Sequence, residues 1–203
     1  HAPYLVMMAV GDFAVIKDKW RDKEVNYYVE KEYEQHAKAI FGKTKKMIEF
    51  YSNKLGTPYP WQKYAQIVAR DYVSGAMENT TATLHGDFVC YQTTRETLDG
   101  AKGEGTIAHE LFHQWFGDLV TAKEGKHHWL QEGLATYFAL LAEREVFGED
   151  YFYNALYHNS LQLRNAEKND SIPILNEKAS SLTFYQKGAW ALHVIRESIG
   201  EKK

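Results

Sequence analysis

The sequence predicts an α+β fold, with a β-rich first half followed by a helical second half, and two observations predict it. Across the first half, short runs rich in Val, Ile, Tyr and Phe are bounded by glycine, proline or charged turns, as strands are. Across the second half, apolar residues recur at intervals of three and four over long stretches with few breakers, as helices require. A length of 203 residues allows one domain with a real core, or a piece of a larger one.

In chain order, Tyr4 to Val10, Phe13 to Lys17 and Val25 to Glu30 read as strands, separated by Gly11-Asp12 and the charged turn WRDKE at 20–24. Tyr33 to Leu55 reads as one helix, because Ala37, Ile40, Phe41, Met47, Ile48 and Tyr51 recur at near-helical spacing with lysines opposite. Gly56, Pro58 and Pro60 end it. Tyr64 to Arg70 returns to strand, Ser74 to His85 continues as strand interrupted by a glycine, and Phe88 to Tyr91 is one more short strand. A glycine-rich connector, DGAKGEG at 99–105, leads into a helix that Gly117 terminates. Three further helices are expected at Leu130 to Val146, Asp150 to Asn165 and Thr183 to Ile199. Ala135, Thr136 and Ala139 give the first of these a small-residue face that would let it approach the preceding helix closely. Trp190, Leu192, Val194 and Ile195 form the apolar side of the last. No repeat or low-complexity linker divides the chain.

The stretch from Thr106 to Tyr137 carries the chemistry. His109 and His113 stand one helical turn apart, so both imidazoles leave one face and can meet one metal ion. Glu110 lies about 100° round the helix, where it can reach a water on the metal without being a ligand. Ile107, Leu111 and Trp115 form an apolar stripe roughly opposite the histidines, widened by Phe112 and Phe116, which marks a buried helix. Glu132, after a loop through Gly117 and Gly125, is the expected third ligand of a zinc site. Competing zinc patterns fit poorly. A metzincin needs Gly and His where Phe116 and Leu119 stand. Cys90, the only cysteine, could serve as third ligand in a deformylase-like site, but its FVCYQ context has no supporting motif and a lone thiol is more often a small buried apolar residue.

Net charge is −3 with Lys and Arg scattered, which gives no electrostatic case for nucleic acid or an anionic membrane. The apolar stretches fall far short of the roughly 20 residues that span a bilayer. One cysteine excludes an intrachain disulfide and leaves cytoplasmic, periplasmic and secreted locations open for a soluble protein. The chain opens inside an apolar run without an initiator Met and stops in a helical pattern, so it is expected to be an excised fragment.

GAMEN at Gly75 to Asn79, HELFH at 109–113, WLQEG at 129–133 and FYQKGA at 184–189 stand in the order and spacing of a known family. Over nearly its whole length the chain resembles the aminopeptidase N type zinc aminopeptidases, relatives of leukotriene hydrolase. The resemblance implies a thermolysin-like catalytic domain at 18–203, truncated at its C-terminus, with residues 1–17 ending a preceding β-domain. It implies one zinc ion on His109, His113 and Glu132, with Glu110 as general base and Tyr185 as donor to the oxyanion. Gly75, Ala76, Met77, Glu78 and Asn79 would bind substrate, the Glu78 carboxylate pairing with the α-ammonium of a peptide with a free N-terminus. The family often has an Asp where His127 stands and an acidic residue where Ala139 stands, so support for the histidines must come from elsewhere, with Asp118 and Thr136 as candidates. His127 and His128 are read as loop or supporting residues and not as ligands. A fragment lacking the neighbouring domains would be weakly active or inactive alone. Three alternatives stay open: a silent binding scaffold, which would be expected to have lost zinc ligands; an endopeptidase, against which Glu78 argues; and an epoxide-opening hydrolase. Oligomeric state and side-chain preference are not legible.

Overall fold

The computed structural model describes residues 2–90, 103–168 and 171–200. The positions expected for the end of the Phe88 strand and the start of the glycine-rich connector lie outside the described residues. The chain divides into two compact units, His1–Leu119 and Val120–Lys203.

The first unit is built on a five-stranded sheet. Its strands are β1 (Phe13–Trp20), β2 (Lys23–Glu30), β3 (Lys63–Ala69), β4 (Ala76–Met77) and β5 (Ala82–Gly86), in spatial order β1-β2-β3-β5-β4. β1 and β2 form an antiparallel hairpin, β3 runs parallel to both β2 and β5, and β4 returns antiparallel as an edge strand. β2 buries Val25, Tyr27 and Val29 at every second position, the period that puts one face on a core. Central β3 is buried continuously from Tyr64 to Val68, as a strand covered on both faces must be. The proposed boundary at residue 17 falls inside β1.

Helices α1 (Ala37–Phe41), α2 (Thr44–Leu55) and α3 (Glu104–Phe112) belong to the same unit. α3 packs on α2 through Tyr51, whose ring meets Phe112 and Trp115 edge-on and whose hydroxyl donates to the Ala108 carbonyl at 3.0 Å. Burying Ile107, Leu111, Phe112 and Trp115 stabilises this seat by roughly 1.5–3 kcal/mol per large side chain. At its start, buried Glu104 accepts from Lys43 at 2.7 Å.

Several expectations are corrected here. Tyr4 to Val10 is not a strand: Pro3–Leu5 is a single turn and Val6, Met8 and Val10 are exposed, because none of the described strands pairs with this run. The single helix expected over Tyr33 to Leu55 is a 3-10 turn followed by α1 and α2, interrupted at Gly42, a poor helix former. The Ser74 to His85 strand is a hairpin turning at 78–81, with Thr81 at φ 65°. It lacks the Asn-Gly type signal that would have announced a turn. Phe88 sits in a short turn, Asp87–Val89, and not in a strand. α3 ends at Phe112, several residues before Gly117.

The second unit contains α4 (His128–Phe147), α5 (Glu149–Ala166), a π-helical turn (Thr183–Lys187) and α6 (Gly188–Ile199). Its core gathers Leu140, Leu141, Phe152, Leu156 and Ala189. The buried side of α6 is Ala189 and His193, whereas Val194 and Ile195, expected to be apolar contacts, are about half exposed. α4 and α6 approach so closely at Gly133 and Gly188 that a Cβ on either would lie 3.0 Å from backbone of the other. No described helix is long and apolar enough to cross a membrane.

Candidate functional site

His109 on α3 and His113 at its C-terminal cap come together as their spacing requires: their Nε2 atoms are 3.0 Å apart. His113 Nδ1 lies 2.8 Å from the Phe116 carbonyl oxygen. A carbonyl only accepts, so Nδ1 carries the proton and Nε2 presents a bare lone pair toward its neighbour. This is the tautomer a metal ligand needs, and a nitrogen pair this close fits one ion at the ~2.0–2.1 Å typical of zinc. Gly117, at φ 141°, permits it: a Cβ there would stand 3.0 Å from His113 Nδ1 and 3.1 Å from its carbonyl oxygen. The chain then folds back, with Asp118 N–H donating to the His113 carbonyl at 2.9 Å.

Two carboxylates converge on the same place. Glu78, Glu110 and His113 are all buried, and a ligand atom from each lies within 4.8 Å of the others. Asp118 adds a third buried acid nearby. Burial, reinforced by the Glu78 charge, pushes its carboxyl up to about 8, against the opposing pull of His113 and the Thr80 hydroxyl.

In the second unit, Glu132 is buried in the first turns of α4, and His128 Nε2 lies 3.3 Å from its Oε1. Tyr185 is half-buried in the π-helical turn that leads into α6. Such turns recur at functional sites because one extra residue per turn redirects a side chain.

The peptidase family M1 domain matches this chain over residues 40–203. The chain belongs to peptidase family M1. Similar proteins include Aminopeptidase M1 of Arabidopsis thaliana, 29% identical over 97% of this chain and 24% of the relative. Probable aminopeptidase 2 of Sulfurisphaera tokodaii is 30% identical over 98% of this chain and 27% of its own length. Endoplasmic reticulum aminopeptidase 2 of Homo sapiens is 31% identical over 78% of this chain and 18% of its own length. The chain thus spans about a quarter or less of these relatives.

In this M1 chain the GAMEN residues divide by position. Gly75 takes φ 77° and its carbonyl accepts from Gly86 N–H, which pins the start of β4 to the end of β5. Ala76 and Met77 are the edge strand itself. The Asn79 side chain donates to the Leu5 carbonyl at 3.2 Å, which ties the N-terminal segment to the turn. Asp118, a candidate support for the histidines, is buried within electrostatic reach of His113, and the Phe116 carbonyl, a backbone atom invisible to residue-type reasoning, meets His113 Nδ1. Beside Glu132 stands His128, and their four-residue spacing on one helix was the signal for that contact. Gln114 was missed altogether. Fully buried, it bonds to Tyr59, Thr81 and Glu78.

Proposed function

We propose that this chain is the metal-binding part of a zinc aminopeptidase that removes N-terminal residues from peptides. We further propose a thermolysin-like catalytic domain at 18–203, with residues 1–17 ending a preceding β-domain. The observation that carries the reading is the buried convergence of Glu78 and Glu110 on His113, beside the paired imidazole nitrogens. A second buried carboxylate beside the general base suits an enzyme that grips a terminal ammonium. The relatives named above are aminopeptidases, which supports the same conclusion.

His109 and His113 would hold one zinc ion through Nε2, with Glu132 as third ligand and its second oxygen accepting from His128. Bound there, zinc supplies a Lewis acid and an acidified water. Glu110 takes the proton from the attacking water and passes it to the leaving amine. The Tyr185 phenol donates its O–H to the carbonyl oxygen as it gains charge. Glu78 pairs with the substrate's α-ammonium. The peptide lies along edge strand β4, using backbone groups of Gly75, Ala76 and Met77, while Asn79 holds the turn.

The test compares tripeptides with free and N-acetylated termini in the full-length protein. Free peptides should lose one residue from the N-terminus and acetylated ones should resist. Glu78→Ala should narrow the gap by lowering kcat/KM on free peptides about 10²- to 10³-fold, as expected for losing one partner of a desolvated charge pair. Internal cleavage of acetylated peptides at the same rate would make the protein an endopeptidase.

A further inference from the structure

Gln114 follows the metal-binding histidine directly, yet its side chain turns into the sheet. Its Oε1 accepts from Thr81 N–H at 2.8 Å and from the Tyr59 hydroxyl at 3.3 Å, and its Nε2 donates to the Glu78 carbonyl at 3.2 Å. Its own carbonyl accepts from Trp61 Nε1 at 3.0 Å. One fully buried amide therefore clasps both ends of the turn at 78–81, donating to the first residue and accepting from the last. The turn needs a clasp, because Thr81 holds φ 65°, a conformation that a β-branched residue adopts only when its surroundings impose it. Glu78 is the residue whose backbone the clasp fixes.

We propose that Gln114 is a positioning residue that hangs the ammonium-binding carboxylate of Glu78 from the metal-binding helix, so that the distance from amine site to metal is set by one side chain. The inference rests on the proposed role of Glu78. Without the clasp, the turn relaxes toward ordinary φ values and the Glu78 carboxylate loses its alignment with the histidines. The first residue of the substrate is then held loosely against the reacting carbonyl, and the loss falls mainly on KM for free-amine peptides. The Tyr59 contact lies on the other side of the amide from Glu78 and serves as the internal control.

The experiment is a double-mutant cycle in the zinc-loaded full-length protein, with Gln114→Met and Glu78→Ala alone and together, assayed on free and N-acetylated tripeptides. Gln114→Met should keep its zinc and lose about 10- to 100-fold in kcat/KM on free peptides, chiefly through KM. In the Glu78→Ala background the same change should cost less than about threefold, since the group it positions is gone. Tyr59→Phe should leave the ratio of free to acetylated turnover unchanged. Equal losses in both backgrounds, or loss of zinc from Gln114→Met, would overturn the positioning role. If Glu78→Ala alone left the free-to-acetylated ratio intact, the failure would lie with the amine-site reading. Should Gln114→Met not fold, Gln114→Asn keeps an amide but withdraws it by one methylene, so it cannot reach both ends of the turn. KM for free-amine peptides should then rise, and an unchanged KM would refute the proposal.

Discussion

At the scale of single residues, the pairing of the two histidines was legible because helical periodicity converts spacing into geometry. His109 and His113 meet because four residues return to one helix face, whereas Glu110, one residue on from His109, is turned about 100° from it and reaches His113 from the side of Glu78. In the proposed mechanism that placement separates metal binding from proton transfer. Glu110→Gln keeps the shape and removes the base, so zinc content should stay near one per chain while kcat falls about 10²- to 10⁴-fold. Metal analysis and turnover on the same sample decide it, and near-normal turnover in a zinc-loaded variant would remove Glu110 from the mechanism. Gln114 was illegible because its partners, Tyr59, Glu78 and Thr81, come from segments between 33 and 55 residues away. No local pattern encodes a contact of that kind.

At the scale of elements, the strands and helices with clear periods were legible, and the errors fell where tertiary contact overrules local preference. The turn at 78–81 offers only Asn79 as a turn residue, with no glycine or proline beside it, and Gln114 holds it from outside, so the segment read as continuous strand. Ala135, Thr136 and Ala139 were read as letting α4 approach the metal-binding helix, whereas the close approach within the second unit is to α6 and is made at Gly133. At Gly133 two effects oppose each other. Alanine gains about 1 kcal/mol in helix propensity over glycine, but its Cβ would stand 3.0 Å from the Cα and carbonyl carbon of Gly188, which are backbone atoms and cannot swing aside. Overpacking of this sort costs roughly 1–3 kcal/mol, so the clash should win. Gly133→Ala should lower Tm by several degrees and reduce kcat as well, since Tyr185 lies just before Gly188. A raised Tm would show that the helices part freely.

At the scale of the whole molecule, the α+β division was legible because it depends on composition and period alone, whereas a buried polar network in the sheet was not. His85 is fully buried on β5, where its Nε2 lies 3.0 Å from Gln66 Oε1, while Gln66 Nε2 donates to Thr44 Oγ1 at 2.7 Å. With its amide nitrogen engaged in donating, Gln66 offers His85 an acceptor, so Nε2 carries the proton and the ring is neutral. Burial alone pushes its pKa down from 6.5 to about 3. Between those values the unfolded chain binds a proton that the folded chain refuses. Stability is therefore fully present above pH 6.5 and is lost progressively as pH falls toward 3. By pH 4.5 this one residue should cost roughly 3 kcal/mol relative to neutral pH. His85→Gln removes the titrating group, so the variant should be less stable than wild type at pH 7.5, through poorer packing, but should lose less on acidification. Urea unfolding of both proteins at the two pH values measures the difference in slope, in which acid effects on the proposed zinc site cancel because both carry the same residues there. Parallel losses would mean that His85 accepts its proton without unfolding the sheet, and the acid sensitivity of the molecule would then belong to its carboxylates.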